Sequence, residues 1–549
     1  MQQTSDGGWT KSTWRDVLCL LLLTIAVFLL FETSPRAGDF WWSDAPRHAM
    51  DGAFYYDLAR NLPLTHLKQW AMDYYIQYPA ITVLFYPPLF ALVEAVFFSL
   101  FGVSHSTAQL TVSTFLLAAA FGAYFLTRRW VGRVAAFSTA LLFIGSPAIA
   151  LWGRQVMLEI PAFTFLIWCS YFFFRYLDSA RARNLYLVDG FLLAAIYTKQ
   201  STIFIVPVYL LTLYFFYRKA LFRRQEFWWS AALFAAAIMP LAVFTWLWGR
   251  LNVQQSVGGD WVEYSRTSLS GWLYVARQWP RQVGWTVSAL AAAYCVGAVL
   301  WKKWRLPRPA IFFFVAWVLT GYVFFTLIAI KLERYTIWLV FSLVFFSILA
   351  IVQGLPAKIA PYAAVAVAVG IFAHTLIAEH VPYVSGYRAA AQYVCSIAPP
   401  NSTVLFSGLR DGSFIFNVKA TPECKNLTVV RADKLLLRVP EDRRLFGVTE
   451  LGVSEGQFKD MLGRYGIRYI VLEPRFWTDL QPMQMLIRIL HQDQFKLLES
   501  IPVASNREHD ESQLEIYENL GPISEGENLI RIDLPAFGIT VEGKVGHAK

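Results

Sequence analysis

Long apolar runs alternate with short polar loops over residues 17–380. The runs 17–31, 115–126 and 341–352 contain no Asp, Glu, Lys or Arg. A helix needs roughly 17 to 25 mainly apolar residues to cross a bilayer, so the pattern predicts a bundle of transmembrane helices. Eleven spans are predicted, the first at 17–31 and the others centred near residues 117, 142, 168, 192, 209, 238, 292, 320, 343 and 370.

The apolar run 84–101 is an exception. It opens with Pro87-Pro88 and carries Glu94 near its middle, where an ionised group facing lipid would cost several kcal/mol. If this run lies in the membrane interface, the arginine-rich short loops fall on one side, as the positive-inside rule requires of cytoplasmic loops. The cations of those loops are Lys11, Arg15, Arg128, Arg129, Arg133, Arg175, Arg181, Arg183, Arg218, Lys219, Arg223, Arg224, Lys302, Lys303, Arg305, Arg308 and Lys358. We therefore predict interfacial helices within a first outer loop, residues 32–105.

This topology gives the chain a cytoplasmic N-terminus. It places three regions on the non-cytoplasmic side, namely the first outer loop, the loop 249–283 and everything after His380. Catalysis in the outer compartment would depend on that grouping.

The composition changes from Val381 onward, where charged residues become frequent. Strand-like runs at 403–406, 427–430 and 469–472 alternate with helix-like segments at 455–465 and 482–490. The pattern predicts a small non-cytoplasmic α/β domain at 381–549, after a transmembrane domain at 1–380. Cys395 and Cys424 lie in this polar part, and spacing alone leaves open whether they pair.

Composition supports the membrane class. Of the 549 residues, 56% are hydrophobic and only 16% are charged, more apolar sequence than a soluble protein can bury. The formal charge of +10 is spread in small clusters beside apolar runs. These clusters are typical of topology signals, and we predict no nucleic-acid partner.

The first outer loop contains the first candidate for chemistry, Asp44, in a stretch rich in acidic and aromatic residues. A helix starting at Pro46 would be capped by Asp44 or Ser43, and capping alone would explain the carboxylate. Asp44 is nevertheless a catalytic candidate because a second acid, Glu159, is predicted on the same side.

Glu159 stands at the predicted outer mouth of an apolar span. A carboxylate there indicates function unless a salt bridge to the upstream Arg154 simply closes the loop. Two outer turns add the cations Lys199 and Arg334, the latter followed by Tyr335. Together these groups predict an outer vestibule that suits an anionic phosphate and a hydroxyl that must lose a proton.

Over residues 15–380 the chain resembles the GT-C class of membrane glycosyltransferases. It is similar to the protein O-mannosyltransferases and to the bacterial aminoarabinose and RgtA/B/C/D-like transferases. The resemblance rests on short segments in the same order and on one predicted side. They are residues 43–49, 86–89, 157–161, 198–199 and 334–335.

The resemblance implies a polyprenyl-phosphate sugar donor, inversion at the anomeric carbon and no nucleotide-sugar site. It makes Asp44 the base that deprotonates the acceptor hydroxyl and Glu159 a second acid near the acceptor or an assisting cation. The acceptor would belong to a lipid, a glycan or a protein, and the setting would be a bacterial inner membrane. Arg154, His48 and Tyr335 are candidates for supporting roles.

The chain departs from its relatives at two positions. Ala45 stands where relatives commonly have Glu, and Pro87 stands where aminoarabinose transferases have a phosphate-binding Lys. The donor phosphate must then meet another cation, and Lys199, Arg334 and Arg47 are the candidates in that order. The second departure also argues against aminoarabinose as the sugar.

Two other functions fit the same residues. A transporter or flippase for a lipid-linked or glycan substrate would use the charges to line a path, but no second copy of the Asp44 or Glu159 segments is found, as paired repeats would require. A non-catalytic scaffold would use the outer domain to bind a partner. The sequence does not decide whether the protein needs a divalent cation. It has no His and Cys cluster with the spacing of metal ligands.

Overall fold

A computed structural model describes residues 11–545 except 222, 259–263, 425, 441–442, 444–446, 510, 525 and 527. The α-helices are α1 Lys11–Glu32, α2 Asp44–Asn61, α3 Leu67–Gln77, α4 Leu89–Phe101, α5 His105–Gly145, α6 Pro147–Gly153, α7 Glu159–Ser179, α8 Ala182–Thr198, α9 Val206–Leu221, α10 Gln225–Trp248, α11 Arg250–Val257, α12 Leu269–Val283, α13 Trp285–Leu300, α14 Arg308–Leu327, α15 Val340–Gly354, α16 Ala360–Ala378, α17 Tyr387–Ile397, α18 Asp411–Ala420, α19 Ala432–Leu436, α20 Glu455–Arg464 and α21 Gln481–Leu490. Short 3₁₀ helices occupy Gln200–Ile205, Lys302–Trp304 and Glu333–Leu339.

The strands all follow the last apolar helix. They are β1 Val384–Ser385, β2 Thr403–Ser407, β3 Thr428–Arg431, β4 Leu437–Arg438, β5 Thr449–Glu450, β6 Ile467–Leu472, β7 Phe495–Pro502, β8 Ala504–Ser505, β9 Gln513–Asn519, β10 Asn528–Leu534 and β11 Ile539–Val545. The predicted mostly helical class with a small C-terminal α/β part is therefore confirmed.

The chain packs as two units. Unit 1 contains 1–34, 112–244 and 254–380, and unit 2 contains 35–111, 245–253 and 381–549. The sequence predicts a linear division at residue 380, whereas packing groups most of the first outer loop with the C-terminal residues.

The helices of unit 1 make the chain a multi-pass membrane protein. Among the described residues, eight helices are long and apolar enough to cross a membrane, or nine if α12 and α13 form one span bent by 117°. The 41-residue α5 covers two predicted spans and is interrupted at Gly132, whose φ of 75° leaves the helical region. The 17-residue α8 falls just short in length, and the predicted count of eleven stays a prediction.

Unit 1 has α15 at its core. Every residue from 340 to 351 in this helix is buried. The Trp317 indole N–H donates to the Trp338 carbonyl at 3.0 Å, which satisfies a polar group in an apolar interior. Phe143 packs edge-on against both Phe163 and Phe341, with ring centroids 5.2 and 5.5 Å apart. The tight aromatic packing fixes the ends of the helices around α15.

The run predicted to lie in the membrane interface forms α4, which has 13 residues and is shorter than a span. Glu94 is fully buried and packs on α2, since a Cβ at Gly52 would come within 2.3 Å of the Glu94 carboxyl. Burial and the nearby Asp51 carboxylate raise the pKa of Glu94 well above its usual range. Because the Glu94 side chain faces a neighbouring helix and is fully buried, α4 can contain an acid that does not face lipid.

In unit 2 the central feature is a five-stranded sheet in the order β3-β2-β6-β9-β7. The strands β3, β2 and β6 are parallel, while β9 and β7 are antiparallel additions. The three predicted strands and two predicted helices appear as β2, β3, β6, α20 and α21. The parallel strands are buried, as expected for a sheet that is covered on both faces.

The first outer loop shares a hydrophobic core with the C-terminal part. Ile76 of α3 is 2% exposed and lies in one cluster with Ile530, Ile532 and Val541 of the β10-β11 hairpin. Gly543 permits this approach, since a Cβ there would come 2.8 Å from the Ile76 side chain. The two segments of unit 2, far apart in sequence, therefore bury apolar surface together.

A disulfide joins Cys395 at the end of α17 to Cys424 after α18, across 29 residues. Closing a loop of this length stabilises a fold by about 3 kcal/mol, mainly by restricting the unfolded chain. Cys19, Cys169 and Cys295 are free.

Removing this disulfide provides the first test. We expect Cys395→Ser to lower the unfolding free energy of unit 2 by about 3 kcal/mol, because the unfolded chain regains loop entropy. Thermal unfolding with a reporter in the C-terminal part would measure it. Cys295→Ser, which removes an exposed free thiol, is the matched control, and an equal effect of both substitutions would contradict the assignment.

Candidate functional site

Asp44 is the first residue of α2 and is partly exposed. The helix begins two residues before the predicted start at Pro46, and the Ser43 side chain at the N-cap makes no capping hydrogen bond. Asp44 itself lies inside the first turn, where a carboxylate interacts favourably with the helix dipole. Asp44 is therefore not the N-cap residue of α2.

The chain leading into α2 is held by α17 and α18. The Asp39 carboxylate accepts from the Arg388 backbone N–H at 2.7 Å and from the Asn417 amide at 3.2 Å. The Phe40 N–H donates to the Ser413 hydroxyl at 3.1 Å. Burial raises the pKa of Asp39 to about 7 despite these bonds. The stretch before Asp44 is thus fixed by side chains that lie far along the sequence.

Arg410 adds a second restraint on the same stretch. Its guanidinium lies 4.5 Å from the centre of the Trp41 ring and also donates to the Trp41 carbonyl. Gly412 allows α18 to approach α2, because a Cβ there would lie 2.7 Å from the Pro46 ring. Together these contacts determine the direction in which α2 begins.

A chain of ion pairs connects α2 to the sheet. Arg47 lies 3.2 Å from Asp411, and Arg431 lies 2.7 Å from the other oxygen of that carboxylate. Arg431 also binds Asp433 through two hydrogen bonds of 3.0 and 2.8 Å. Burial opposes the charges, but the two carboxylates hold the pKa of Arg431 above its usual value. Arg47, a predicted phosphate ligand, is therefore paired with an acid within unit 2.

Glu159 is the first residue of α7 in unit 1 and is completely buried. The Lys199 ammonium lies 2.6 Å from its Oε1 atom, and the Arg334 Nε lies 3.7 Å from the same oxygen. Its Oε2 atom accepts no hydrogen bond from the described residues. Two predicted phosphate ligands thus converge on the predicted second acid.

Tyr335 completes this Glu159 cluster. Its ring lies 5.5 Å from the Lys199 ammonium and 5.6 Å from the Arg334 guanidinium, distances typical of cation–π contacts. Lys199 follows α8, and Arg334 and Tyr335 lie in the 3₁₀ helix before α15. The buried carboxylate at the start of α7 therefore binds the residue after α8 and the turn before α15.

Arg154 does not pair with Glu159 as the sequence suggested. Its side chain turns back to the Ala150 carbonyl at 2.9 Å, one helical turn earlier in α6. It also donates to the Glu379 carbonyl at 3.1 Å. Burial lowers the pKa of Arg154 to about 10. The alternative of a salt bridge from Arg154 to Glu159 that closes the loop is therefore wrong, because the guanidinium binds backbone carbonyls instead.

His48 lies one turn after Asp44 and is 3% exposed. Its ring packs against Tyr86 and Phe90, with centroids 4.6 and 6.5 Å away. The contact joins α2 to the segment that opens α4, which makes His48 a packing element of unit 2.

Sequence reasoning missed Asp411 and Arg431. Both lie in the C-terminal part, which the sequence reading left without site residues. Asp411 opens a helix and Arg431 ends a strand. Neither position carries a local signal for this ion-pair chain, in which Asp411 pairs with both Arg47 and Arg431. Among the described residues, no group of three or more His, Cys, Asp or Glu side chains could hold a metal ion.

The chain is similar to one protein family and to several solved structures. Residues 86–246 match the family described as dolichyl-phosphate-mannose-protein mannosyltransferase. The structure resembles ArnT from Cupriavidus metallidurans bound to undecaprenyl phosphate, with a TM-score of 0.60, 15% identity and coverage of 92% of this chain and 98% of that chain. No curated protein sequence matches the chain.

A second solved structure has the same fold. The apo oligosaccharyltransferase of Archaeoglobus fulgidus matches with a TM-score of 0.54, 13% identity and coverage of 92% of this chain and 76% of that chain. Both structures share the fold of this chain, and the family match over residues 86–246 agrees with a GT-C type membrane glycosyltransferase. The resemblance predicted from the sequence is confirmed.

The Glu159 cluster generates a stability prediction. We expect Lys199→Met to lower the unfolding free energy by about 3 kcal/mol, since it leaves a buried carboxylate with a single, more distant cation. The double variant Lys199→Met with Glu159→Gln should recover at least about half of that loss, because no unpaired charge remains.

Thermal unfolding of the purified protein in lipid nanodiscs would measure this double-mutant cycle. Lys302→Met, at an exposed lysine, is the control and should change little. Additive effects of the two site substitutions would show that Lys199 and Glu159 do not interact.

Proposed function

We propose that the chain transfers a sugar from a polyprenyl-phosphate donor to an acceptor hydroxyl on the non-cytoplasmic side of the membrane. The family match supports a phosphate-linked lipid donor, since the description of that family names dolichyl-phosphate-mannose. The similar ArnT structure contains undecaprenyl phosphate. The setting we propose is a bacterial inner membrane, with the N-terminus cytoplasmic and the C-terminal part outside.

The observation that carries the proposal is the convergence of Lys199 and Arg334 on the Glu159 carboxylate. Both side chains are cations that can make charge-assisted hydrogen bonds to a donor phosphate. Arg47 is the third candidate, since Asp411 already pairs with it.

The proposed reaction is a single displacement with inversion. The Asp44 carboxylate takes the proton of the acceptor hydroxyl while that oxygen forms a bond to the anomeric carbon. The bond from the anomeric carbon to the phosphate oxygen breaks, and the electron pair leaves with the polyprenyl phosphate. Lys199 and Arg334 stabilise the charge that develops on this leaving group.

Glu159 holds the two cations in this scheme, and Tyr335 packs against both of them. A buried carboxylate with fixed partners keeps the cations preorganised, which lowers the reorganisation cost at the moment of transfer. Arg154 and His48 support the ends of their helices. The acceptor is a lipid, a glycan or a protein, and the sugar is a hexose or a pentose.

Asp44→Asn tests the assigned base. We expect the variant to retain less than about a tenth of the transfer rate, because the amide cannot accept the hydroxyl proton. The assay would incubate the protein in lipid with several polyprenyl-phosphate sugars and an extract that contains acceptors, and would measure the release of polyprenyl phosphate.

Asp73→Asn, at an exposed acid of α3, is the matched control and should keep normal activity. Unchanged thermal unfolding would show that Asp44→Asn folds. Activity above about a tenth of the normal rate in that variant would remove Asp44 from the role of base.

A further inference from the structure

Unit 2 contains a polar cleft at the side of the β10-β11 hairpin. Its volume is about 410 Å³, within the roughly 300–1,000 Å³ of ligand-binding pockets. Six of its eight lining residues are charged or polar. The lining consists of Lys434, Leu437, Arg438, Val439, Arg531, Asp533, Thr540 and Glu542.

Strand alternation explains why the hairpin presents polar groups here. Ile530, Ile532 and Val541 point into the hydrophobic core. Successive side chains of a strand face opposite ways, so their neighbours face the cleft. Arg531 pairs with Glu542 across the hairpin in the strand register. One face of the hairpin thus stabilises the fold, and the other is left available to bind.

The acids of the cleft are already satisfied. Asp533 lies 2.7 Å from Arg438 and accepts from the Thr540 hydroxyl at 2.8 Å, and Glu542 lies 2.7 Å from Arg531. These pairs are well exposed, and exposed pairs exchange partners at little cost. The arginine donors and carboxylate acceptors of these pairs alternate along the cleft, an arrangement suited to the hydroxyl groups of a sugar.

Lys434 is different from the other charged groups of the cleft. No hydrogen bond or ion pair to its ammonium is found within the part of the chain that the structure describes. Burial and the neighbouring Arg431 lower the pKa of Lys434 to about 8. The Asp433 and Asp411 carboxylates act in the opposite direction on this pKa. Because the ammonium makes no direct contact with either of them, it is available to an anion in the cleft.

We propose that this cleft binds an acidic saccharide, in which a phosphate or carboxylate group pairs with Lys434 and the hydroxyl groups bond to the side chains of the hairpin. The ligand would be the acceptor of the transfer, so this role rests on the function proposed above. Asp433, next to Lys434, belongs to the ion-pair chain that reaches Arg47 on α2, the helix that carries Asp44. The donor phosphate has its own cations in the Glu159 cluster.

Protection of Lys434 from acetylation tests the proposal on the full chain in lipid nanodiscs. The probe is glucose 6-phosphate, compared at equal concentration with glucose and with inorganic phosphate, and mass spectrometry would follow the acetylation of each lysine. We expect glucose 6-phosphate to slow the acetylation of Lys434 about fivefold or more, since the ammonium becomes engaged in a charge-assisted hydrogen bond. The exposed Lys496 serves as the internal control and should react equally in all arms.

Three results would overturn the proposal. If none of the probes protects Lys434, the cleft is not an anion site. If inorganic phosphate protects as well as glucose 6-phosphate, no saccharide is recognised. If glucose protects Lys434 as strongly as glucose 6-phosphate does, the phosphate group plays no part in binding.

Variants at position 434 give a second readout. Saturation-transfer NMR should detect binding of glucose 6-phosphate to Lys434→Arg but not to Lys434→Met, because the arginine keeps the charge. Equal binding to both variants would also overturn the proposal.

Neither binding measurement requires sugar transfer, so each outcome can be separated from that of the proposed function. Protection of Lys434 without any consumption of donor would reject the transfer reaction and keep the saccharide site. Consumption of donor without protection of Lys434 would support the transfer reaction and reject the saccharide site.

Discussion

A buried carboxylate that must be neutralised is the constraint around which unit 1 is organised. Glu159 begins a transmembrane helix with no exposure to solvent. An uncompensated charge in such a place would cost several kcal/mol. The chain meets this demand by bringing Lys199 from the end of α8 and Arg334 from the turn before α15. Two cations therefore converge on one acid, and we propose that they meet the donor phosphate.

The second organising feature is the dependence of the Asp44 segment on the C-terminal part. Asp39, Phe40 and Trp41 are held by groups from α17 and α18, and Arg47 is held by Asp411. A loop that joins two membrane spans would be mobile by itself, whereas here its polar groups are satisfied by an α/β fold. The role of base that we propose for Asp44 would require such support, since small displacements of a catalytic group reduce the rate strongly.

Sequence patterns predicted those parts of the protein that depend on local periodicity. The apolar runs gave the membrane helices, and the short alternations gave β2, β3, β6, α20 and α21. Lys199 and Arg334 could be proposed because charged residues between apolar runs are rare. The partner of Arg47 could not, because Asp411 is distant in the chain and the contact is created by tertiary packing. The alternative that Arg154 pairs with Glu159 rested on proximity in sequence alone, and the geometry of α6 directs this side chain elsewhere.

The proposed chemistry requires the Asp44 segment and the Arg334 turn to lie in one aqueous compartment. The background is a protein whose three free cysteines are replaced by alanine. Single cysteines introduced in it at the exposed positions Ser43 and Glu333 would report on which side of the membrane each segment lies. A membrane-impermeant maleimide added to intact cells should label both, while Arg181→Cys should react only after permeabilisation. Labelling of positions 43 and 333 from opposite sides of the membrane would contradict the proposed transfer reaction.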